Sequence, residues 1–192
     1  MAKTMTPKER VAAAFALCEP DRVPVDYDSN PGIDGRLKAH FGLRPDDDIG
    51  LLEALEVDFR RCNAPYVGPK LHADVPDRHI CEWGIHRRWA EHESGGYWDF
   101  CDFPLQGATL DEVEAWPMPS PDHYDYAFVA EASKRFDAYY MCIGGAGFGD
   151  IINSTGMLFT MEEVLVGLMT DDPAVLRFIE RRAATLVEVA SR

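Results

Sequence analysis

Two aspartates near the N-terminus are the first residues whose position suits chemistry. Asp26 and Asp28 directly follow a short apolar run, Val23-Pro24-Val25. Carboxylates at the end of a buried strand can bind a substrate or move a proton, although loop aspartates more commonly form turns or cap helices. Asp58 ends another apolar run. We interpret it as a buried acid with a structural hydrogen bond rather than as a general base.

A candidate metal-binding pattern lies at His79-Ile80-Cys81, with Cys101 twenty residues further on. Zinc binds histidine nitrogen and cysteine sulfur and lowers the pKa of a thiol. Alternation in a strand would equally place His79, Cys81 and Trp83 on one half-buried face. Because the ligands are few and spread out, we expect no metal or other cofactor in this chain.

A glycine-rich segment, Gly145-Ala146-Gly147-Phe148-Gly149, lies between a predicted strand and a predicted helix. That setting is typical of loops that bind phosphate, but the dinucleotide fingerprint fails because Asp150 occupies the position of its last glycine. We interpret the segment as a tight turn in which Phe148 forms the wall of a pocket.

The composition excludes several classes of protein. A formal charge of −14 opposes nucleic acid, and 46% hydrophobic residues provide for a substantial core. No stretch reaches the ~18 apolar residues of a membrane span, and the N-terminus has no secretory signal core. The five cysteines are scattered, which favours reduced thiols. We therefore expect a cytoplasmic protein that binds neither nucleic acid nor membranes.

The elements that would position these groups alternate between strand and helix. Short apolar runs predict strands at 23–26, 56–59 and 139–143, and two aromatic-rich runs predict a β-hairpin at about 78–104. Such alternation predicts parallel pairing in an α/β fold.

Helix signals separate the strands. Thr6-Pro7-Lys8-Glu9 and Thr109-Leu110-Asp111-Glu112 are capping boxes, and Asp172-Pro173 begins the last helix. The apolar periodicity of that helix predicts one buried face, formed by Val175, Ile179, Ala183, Leu186 and Val187.

The ordered motifs resemble a known group of enzymes, the uroporphyrinogen decarboxylase superfamily, which includes corrinoid- and zinc-dependent methyltransferases. The N-terminus "TPKERVAAAF…EPDRVPVDYD" is similar to the start of that superfamily. Further similar segments follow in the expected order: "LEVDFRRCNAPYVGP", "CEWGIHRRW…GGYWDF…FPL", "TLDEVEAWPMPSPD" and "LVGLMTDDPAVLRFIERR". The resemblance covers nearly the whole chain.

The resemblance implies the N-terminal part of a (β/α)₈ TIM barrel with N-terminal helices and a β-hairpin insertion. Such barrels take ~250 residues or more, so we expect residues 1–192 to form one incomplete domain with about three of the eight strands. Barrel sites lie at the carboxyl ends of the strands. The substrate-binding residues implied here are Asp26, Tyr27, Asp28, Arg61, Asn63, Phe148 and Asp150; the resemblance assigns no catalytic residue.

One departure from the decarboxylases bears on the substrate. Those enzymes resemble one another in a loop with two arginines after the first strand, which bind the carboxylates of the porphyrinogen. At that place this chain has Asp26, Asp28 and Asp34, with no arginine before Arg36. Carboxylates repel a polycarboxylate, whereas guanidinium groups bind it in a bidentate manner. The loop therefore argues against porphyrinogen decarboxylation.

We accordingly expect the parent enzyme to be methyltransferase-like. It would move a methyl group between a corrinoid or other methylated donor and a small acceptor, with zinc and a corrinoid protein as cofactor and partner of the parent. Homo-oligomers are also compatible with the resemblance. Two alternatives stay open: a divergent uroporphyrinogen decarboxylase of porphyrin biosynthesis, and a non-catalytic fragment, which is how the isolated chain would behave.

Overall fold

The structure, a computed structural model, describes residues 4–93, 95–144 and 150–192. Its described residues form a mixed α/β fold with no closed barrel among them. The helices are α1 (Pro7–Phe15), α2 (Pro31–His40), α3 (Asp48–Ala54), α4 (Leu110–Ala115), α5 (Tyr126–Arg135), α6 (Ile151–Gly156), α7 (Met161–Thr170) and α8 (Pro173–Ser191). The strands are β1 (Phe59–Asn63), β2 (His79–Ile80), β3 (His86–His92), β4 (Gly95–Cys101) and β5 (Tyr140–Gly144).

The chain divides into two compact units. The first unit comprises Met1–Cys62, Glu91–Tyr97 and Ala127–Ile143, and the second comprises Asn63–Ala90, Trp98–Tyr126 and Gly144–Arg192. In the first unit, β1 and β5 form a small parallel sheet. Its first helix, α1, begins as predicted, because Thr6 and Glu9 form both hydrogen bonds of a capping box and Pro7 occupies the first turn.

The strand predicted at 23–26 was wrong, because these residues belong to no described strand. Pro24 has no N–H to contribute to a ladder, and the Val25 N–H donates to the Asp58 carboxylate (2.8 Å) instead of to a backbone carbonyl. One backbone bond links the segment to its neighbour, from Asp58 N–H to Val25 C=O (2.9 Å).

The second predicted strand, 56–59, is displaced along the chain to Phe59–Asn63. The C-terminus of α3 explains the shift, because the Val57 N–H donates to the Leu52 carbonyl (2.9 Å) and Glu56 has a left-handed φ of 56°. The third predicted strand, 139–143, agrees with β5 to within one residue at each end.

The antiparallel sheet, in the order β2-β3-β4, belongs to the second unit except for its residues within Glu91–Tyr97, which are assigned to the first. Its strands β3 and β4 form the predicted hairpin, and β2 pairs with β3 in the register His79 with Arg87 and Ile80 with His86. The core of the second unit lies between α4, α6, α7 and α8. Its buried residues are Trp83, Ile85, Leu105, Val113, Leu158, Phe159, Val164, Ala174, Val175, Phe178 and Leu186.

The buried face of α8 differs from the one predicted. Val187 is 60% exposed, whereas Phe178, Arg182 and Val189 are buried along with Val175 and Leu186. Apolar periodicity alone cannot place a charged residue on the inner face, and that is why the position of Arg182 was missed. None of the helices in the described ranges is long and apolar enough to cross a membrane.

Candidate functional site

Asp58 binds several polar groups of the first unit, and its side chain is fully buried. Its carboxylate accepts hydrogen bonds from Arg10 Nη1 (2.5 Å), from Arg22 Nη1 (2.7 Å) and Nη2 (3.0 Å), and from the Val25 N–H (2.8 Å). Both oxygens are therefore occupied, and no acceptor position is left for a substrate proton. The interpretation of Asp58 as a buried structural acid is confirmed.

Arg10 extends this network to the segment that follows α1. Its guanidinium also binds Asp21, through Nε (2.5 Å) and Nη2 (3.1 Å). The hydrogen bond from Arg10 is the main reason that the pKa of Asp21 lies well below its usual range, and backbone N–H groups of Met5 and Thr4 lower it further. The network thus connects α1, the segment 22–25 and the residue before β1 to one another.

The predicted site residues of the first unit follow directly after this network. Arg61 on β1 forms an ion pair with Asp26, whose other oxygen accepts the Tyr27 N–H (2.9 Å). The Arg61 side chain is 61% exposed and that of Asp26 is 39% exposed, while Asp28 is exposed. The structure therefore brings Asp26, Tyr27 and Arg61 together on an accessible surface.

The Tyr27 hydroxyl belongs to a second, smaller group. It lies 2.7 Å from Asp34 Oδ1 and 2.8 Å from Ser29 Oγ, and Ser29 donates to the same Asp34 oxygen (2.6 Å). Burial opposes the charge of Asp34, but hydrogen bonds from Ser29 and Tyr27 and the charge of Lys38 outweigh it and lower the pKa. Burial raises the pKa of Tyr27, so its hydroxyl keeps its proton.

The negative charges of the loop after residue 26 are thus partly balanced by side chains of the first unit. Asp34 is held by hydroxyl groups, and the buried Lys38 on α2 donates to the Pro45 carbonyl (2.9 Å) and forms an ion pair with Asp48. The Arg61 guanidinium, which could bind an anionic substrate, is already paired with a carboxylate. This arrangement suits a small polar ligand better than a polyanion.

The remaining predicted site residues belong to the second unit or lie outside the described residues. Asn63 is exposed, and its side-chain oxygen lies over Gly144, 2.9 Å from where a Cβ would be. Asp150 is the N-cap residue of α6 and accepts from Asn153 Nδ2 (3.0 Å). Phe148 and the glycine-rich segment 145–149 lie outside the described residues, so the interpretation of that segment as a turn stays a prediction.

The candidate zinc ligands do not assemble into a site. β2 contains only His79 and Ile80, and the Gly84 N–H donates to the Cys81 carbonyl (2.9 Å), so Cys81 lies in a turn. The expected alternation of His79, Cys81 and Trp83 along one strand was therefore wrong; His79 is exposed and Trp83 is buried. Within the described ranges, no group of three or more His, Cys, Asp or Glu side chains is placed to hold a metal ion.

Arg10, Asp21 and Arg22 are the polar residues that sequence reasoning missed in the first unit. They lie in "KERVAAAFALCEPDR", where Arg10 stands on the apolar side of α1. The available signal was general: a buried carboxylate such as Asp58 requires donors, although the sequence does not say which residues supply them.

Comparison of the chain with protein-family models, curated proteins and solved structures gave no match. The resemblance to the uroporphyrinogen decarboxylase superfamily therefore stays a prediction from the sequence motifs.

Proposed function

We propose that this chain is the N-terminal part of a methyltransferase-like enzyme of the uroporphyrinogen decarboxylase superfamily. The enzyme moves a methyl group between a corrinoid or other methylated donor and a small acceptor such as a thiol. The residues of this chain bind and orient the small substrate. The fold proposed for this part is an incomplete (β/α)₈ barrel.

One observation carries the proposal. The Tyr140 N–H donates to the Asp58 carbonyl (3.1 Å), and the Asp58 N–H donates to the Val25 carbonyl (2.9 Å). These two bonds place β5, the start of β1 and the segment 23–26 side by side. The first three strands of a barrel would lie in this order, so the arrangement supports the proposed fold.

The charges of the loop support methyl transfer over decarboxylation. In the proposed site, the Arg61–Asp26 ion pair offers one cation that is already balanced, and Asp28 adds an exposed negative charge. A porphyrinogen with eight carboxylates would meet net repulsion there, whereas a small thiol would not.

The test uses the full-length protein expressed from its own gene. It is incubated with methylcobalamin and a panel of small thiols, and demethylation of the cobalamin is followed by absorbance; decarboxylation of uroporphyrinogen is measured in parallel. We expect demethylation that depends on a thiol, and no decarboxylation. Arg61→Met should weaken substrate use, while Arg36→Met, which removes an exposed arginine on α2, serves as the matched control.

Two results would overturn the proposal. Decarboxylation at ordinary enzymatic rates, ~1 s⁻¹ or above, would identify a divergent decarboxylase. Inactivity in both assays would favour the non-catalytic alternative.

A further inference from the structure

Helix α7 carries apolar side chains on its outer side as well as on its inner side. Val164 is fully buried in the core of the second unit, while Met169 is 85% exposed. The exposed apolar residues follow the spacing i, i+4, i+7 and i+8 of one helix face: Met161, Leu165, Leu168 and Met169. A helix that covers a soluble domain normally carries polar residues on that side. The outer side of α7 therefore has the character of a contact surface.

A groove with a volume of about 500 Å³ lies beside this face, between α7 and the loop at 106–108. Phe159 and the half-exposed Val166 are among the apolar residues that line it. The Gly107 N–H donates to Glu163 Oε1 (2.8 Å) and so holds the loop against the helix. Since Val166 borders both the groove and the exposed face, the two are continuous. We call the exposed apolar residues of this region the α7 surface: Met161, Leu165, Val166, Leu168 and Met169.

Acidic side chains flank the α7 surface. Residues 150–176 contain five carboxylates and no lysine, arginine or histidine. Glu162, in the first turn of α7, and Asp171, directly after its end, are exposed, and within the described ranges neither forms an ion pair. A second copy of this chain, with its formal charge of −14, or an anionic lipid surface would be repelled there. The charges therefore favour a cationic occupant.

The spacing of these charges matches the length of a short helix. Glu162 and Asp171 are nine positions apart, which corresponds to ~14 Å along a helix. An amphipathic helix of about 14 residues could lay its apolar face on the α7 surface and place a lysine or arginine near each carboxylate. The methionine side chains at 161 and 169 adapt readily to the shape of a partner.

We propose that the α7 surface and its groove form the docking site for a cationic amphipathic helix of a partner protein. The apolar face of that helix covers Leu165, Val166 and Met169, and its lysine or arginine side chains pair with Glu162 and Asp171. The site lies within the second unit, and it does not depend on the proposed methyl transfer.

The test measures binding of a synthetic peptide to the full-length protein by fluorescence anisotropy. The fluorescein-labelled peptide has about 14 residues, with leucines along one helical face and lysines near both ends. We expect saturable binding that weakens as added salt screens the charges. The control peptide has glutamate in place of every lysine and should not bind.

The double variant Leu165→Ala and Met169→Ala should bind the lysine peptide at least about tenfold more weakly, because it removes apolar area that the peptide would cover. Val187→Ala is the matched control. Val187 is 60% exposed and lies twelve positions (~18 Å) along α8 from Val175, which lines the groove, so binding should be unchanged. All three side chains are exposed, and both variants should fold with an unchanged Tm.

A second double variant, Glu162→Gln and Asp171→Asn, tests the charges. It should bind about threefold more weakly at low salt, and its binding should depend less on salt. Asparagine tolerates the left-handed φ of 55° at position 171, so the end of α7 should be kept. Glu131→Gln, which alters an exposed carboxylate on α5, is the control.

Three results would overturn the proposal: no saturable binding of the lysine peptide, equal binding of the glutamate peptide, or unchanged binding by the Leu165→Ala and Met169→Ala variant. Where the lysine peptide does not bind, self-association that this variant loses would identify a second copy of the chain as the occupant. Binding to phosphatidylcholine vesicles that the variant loses would identify a lipid surface instead.

Discussion

Asp58 shows how a single side chain organises the first unit. Its carboxylate accepts from Arg10 and Arg22, and its backbone N–H donates to Val25 while its carbonyl accepts from Tyr140. A buried charge of this kind contributes little net stability when compared with an apolar core, but removing one partner leaves the others unpaired. Its role is therefore to hold neighbouring segments in register.

Asp58→Asn should destabilise the protein by about 3–5 kcal/mol, because Arg10 is left buried with less than its full set of acceptors. Urea denaturation measures the change. Asp137→Asn is the control, since the ion pair of Asp137 with Lys8 is at the surface and should leave the transition unmoved. Equal transitions for the two variants would show that Asp58 has no organising role.

At the scale of elements, Asp102, which directly follows β4, binds side chains near the start of β2 and of β3. It accepts from Arg78 Nε (2.7 Å) and Nη2 (3.2 Å), and its Oδ2 lies 3.2 Å from His86 Nδ1. The hydrogen bond from Arg78, and after it the one from His86, lowers the pKa of Asp102 to about 2. The ion pair links β3 to residues at the ends of β2 and β4.

This pKa gives a prediction about pH. Because the pKa of Asp102 is lower in the folded than in the unfolded protein, its contribution is present above about pH 4 and is lost as the pH falls towards 2. The Tm of Asp102→Asn should consequently fall less than that of the unaltered protein over this interval. Asp74→Asn, which alters an exposed carboxylate of the same unit, is the control. Parallel pH profiles for Asp102→Asn and the unaltered protein would contradict the assignment.

The position of Cys81 in the turn after β2 leads to a prediction about metal binding. Since Cys81 lies in a turn and His79 is exposed, we expect no stoichiometric zinc in the purified protein, and no difference in metal content for Cys81→Ser. Elemental analysis after growth with added zinc measures both, and Cys18→Ser, which alters an exposed cysteine, is the control. One zinc per chain that disappears in Cys81→Ser alone would show that the pair is a ligand set.

At the scale of the whole molecule, the first unit leaves apolar side chains of its sheet region exposed. Val23 is 78% exposed, Ile143 58% and Val25 38%, whereas Val57 is 2% exposed. Exposed apolar surface of this kind favours association and binds hydrophobic dyes. The formal charge of −14 opposes association until salt screens it.

We therefore expect the isolated chain to bind a hydrophobic dye and to self-associate more strongly as salt is raised. Light scattering after size-exclusion chromatography, with dye fluorescence, measures both. The double variant Val23→Asp and Ile143→Asp should reduce dye binding and association. Val187→Asp changes a comparably exposed valine on α8 and should have a smaller effect. A monomer at all salt concentrations, without dye binding, would contradict the prediction.

Local signals in the sequence determined much of the secondary structure. The capping boxes at Thr6 and Thr109 and the hairpin of β3 and β4 form as predicted. Each depends on residues a few positions apart, so the responsible hydrogen bonds can be read from a short window. Asp26 and Arg61 were both predicted as site residues at strand ends, although the ion pair between them was not predicted.

Only the tertiary structure decided which polar groups are buried and where extended segments become strands. Arg10 meets Asp58 across 48 positions of the sequence, and the carboxylate of Asp58 takes the N–H of Val25 that a strand at 23–26 would have used. Arg182 lies on the inner face of α8, where apolar periodicity had placed Val187. The physical reason is the same in each case. The free energy of burying a charge or forming a ladder depends on a partner distant in sequence, and local propensity contains no information about that partner.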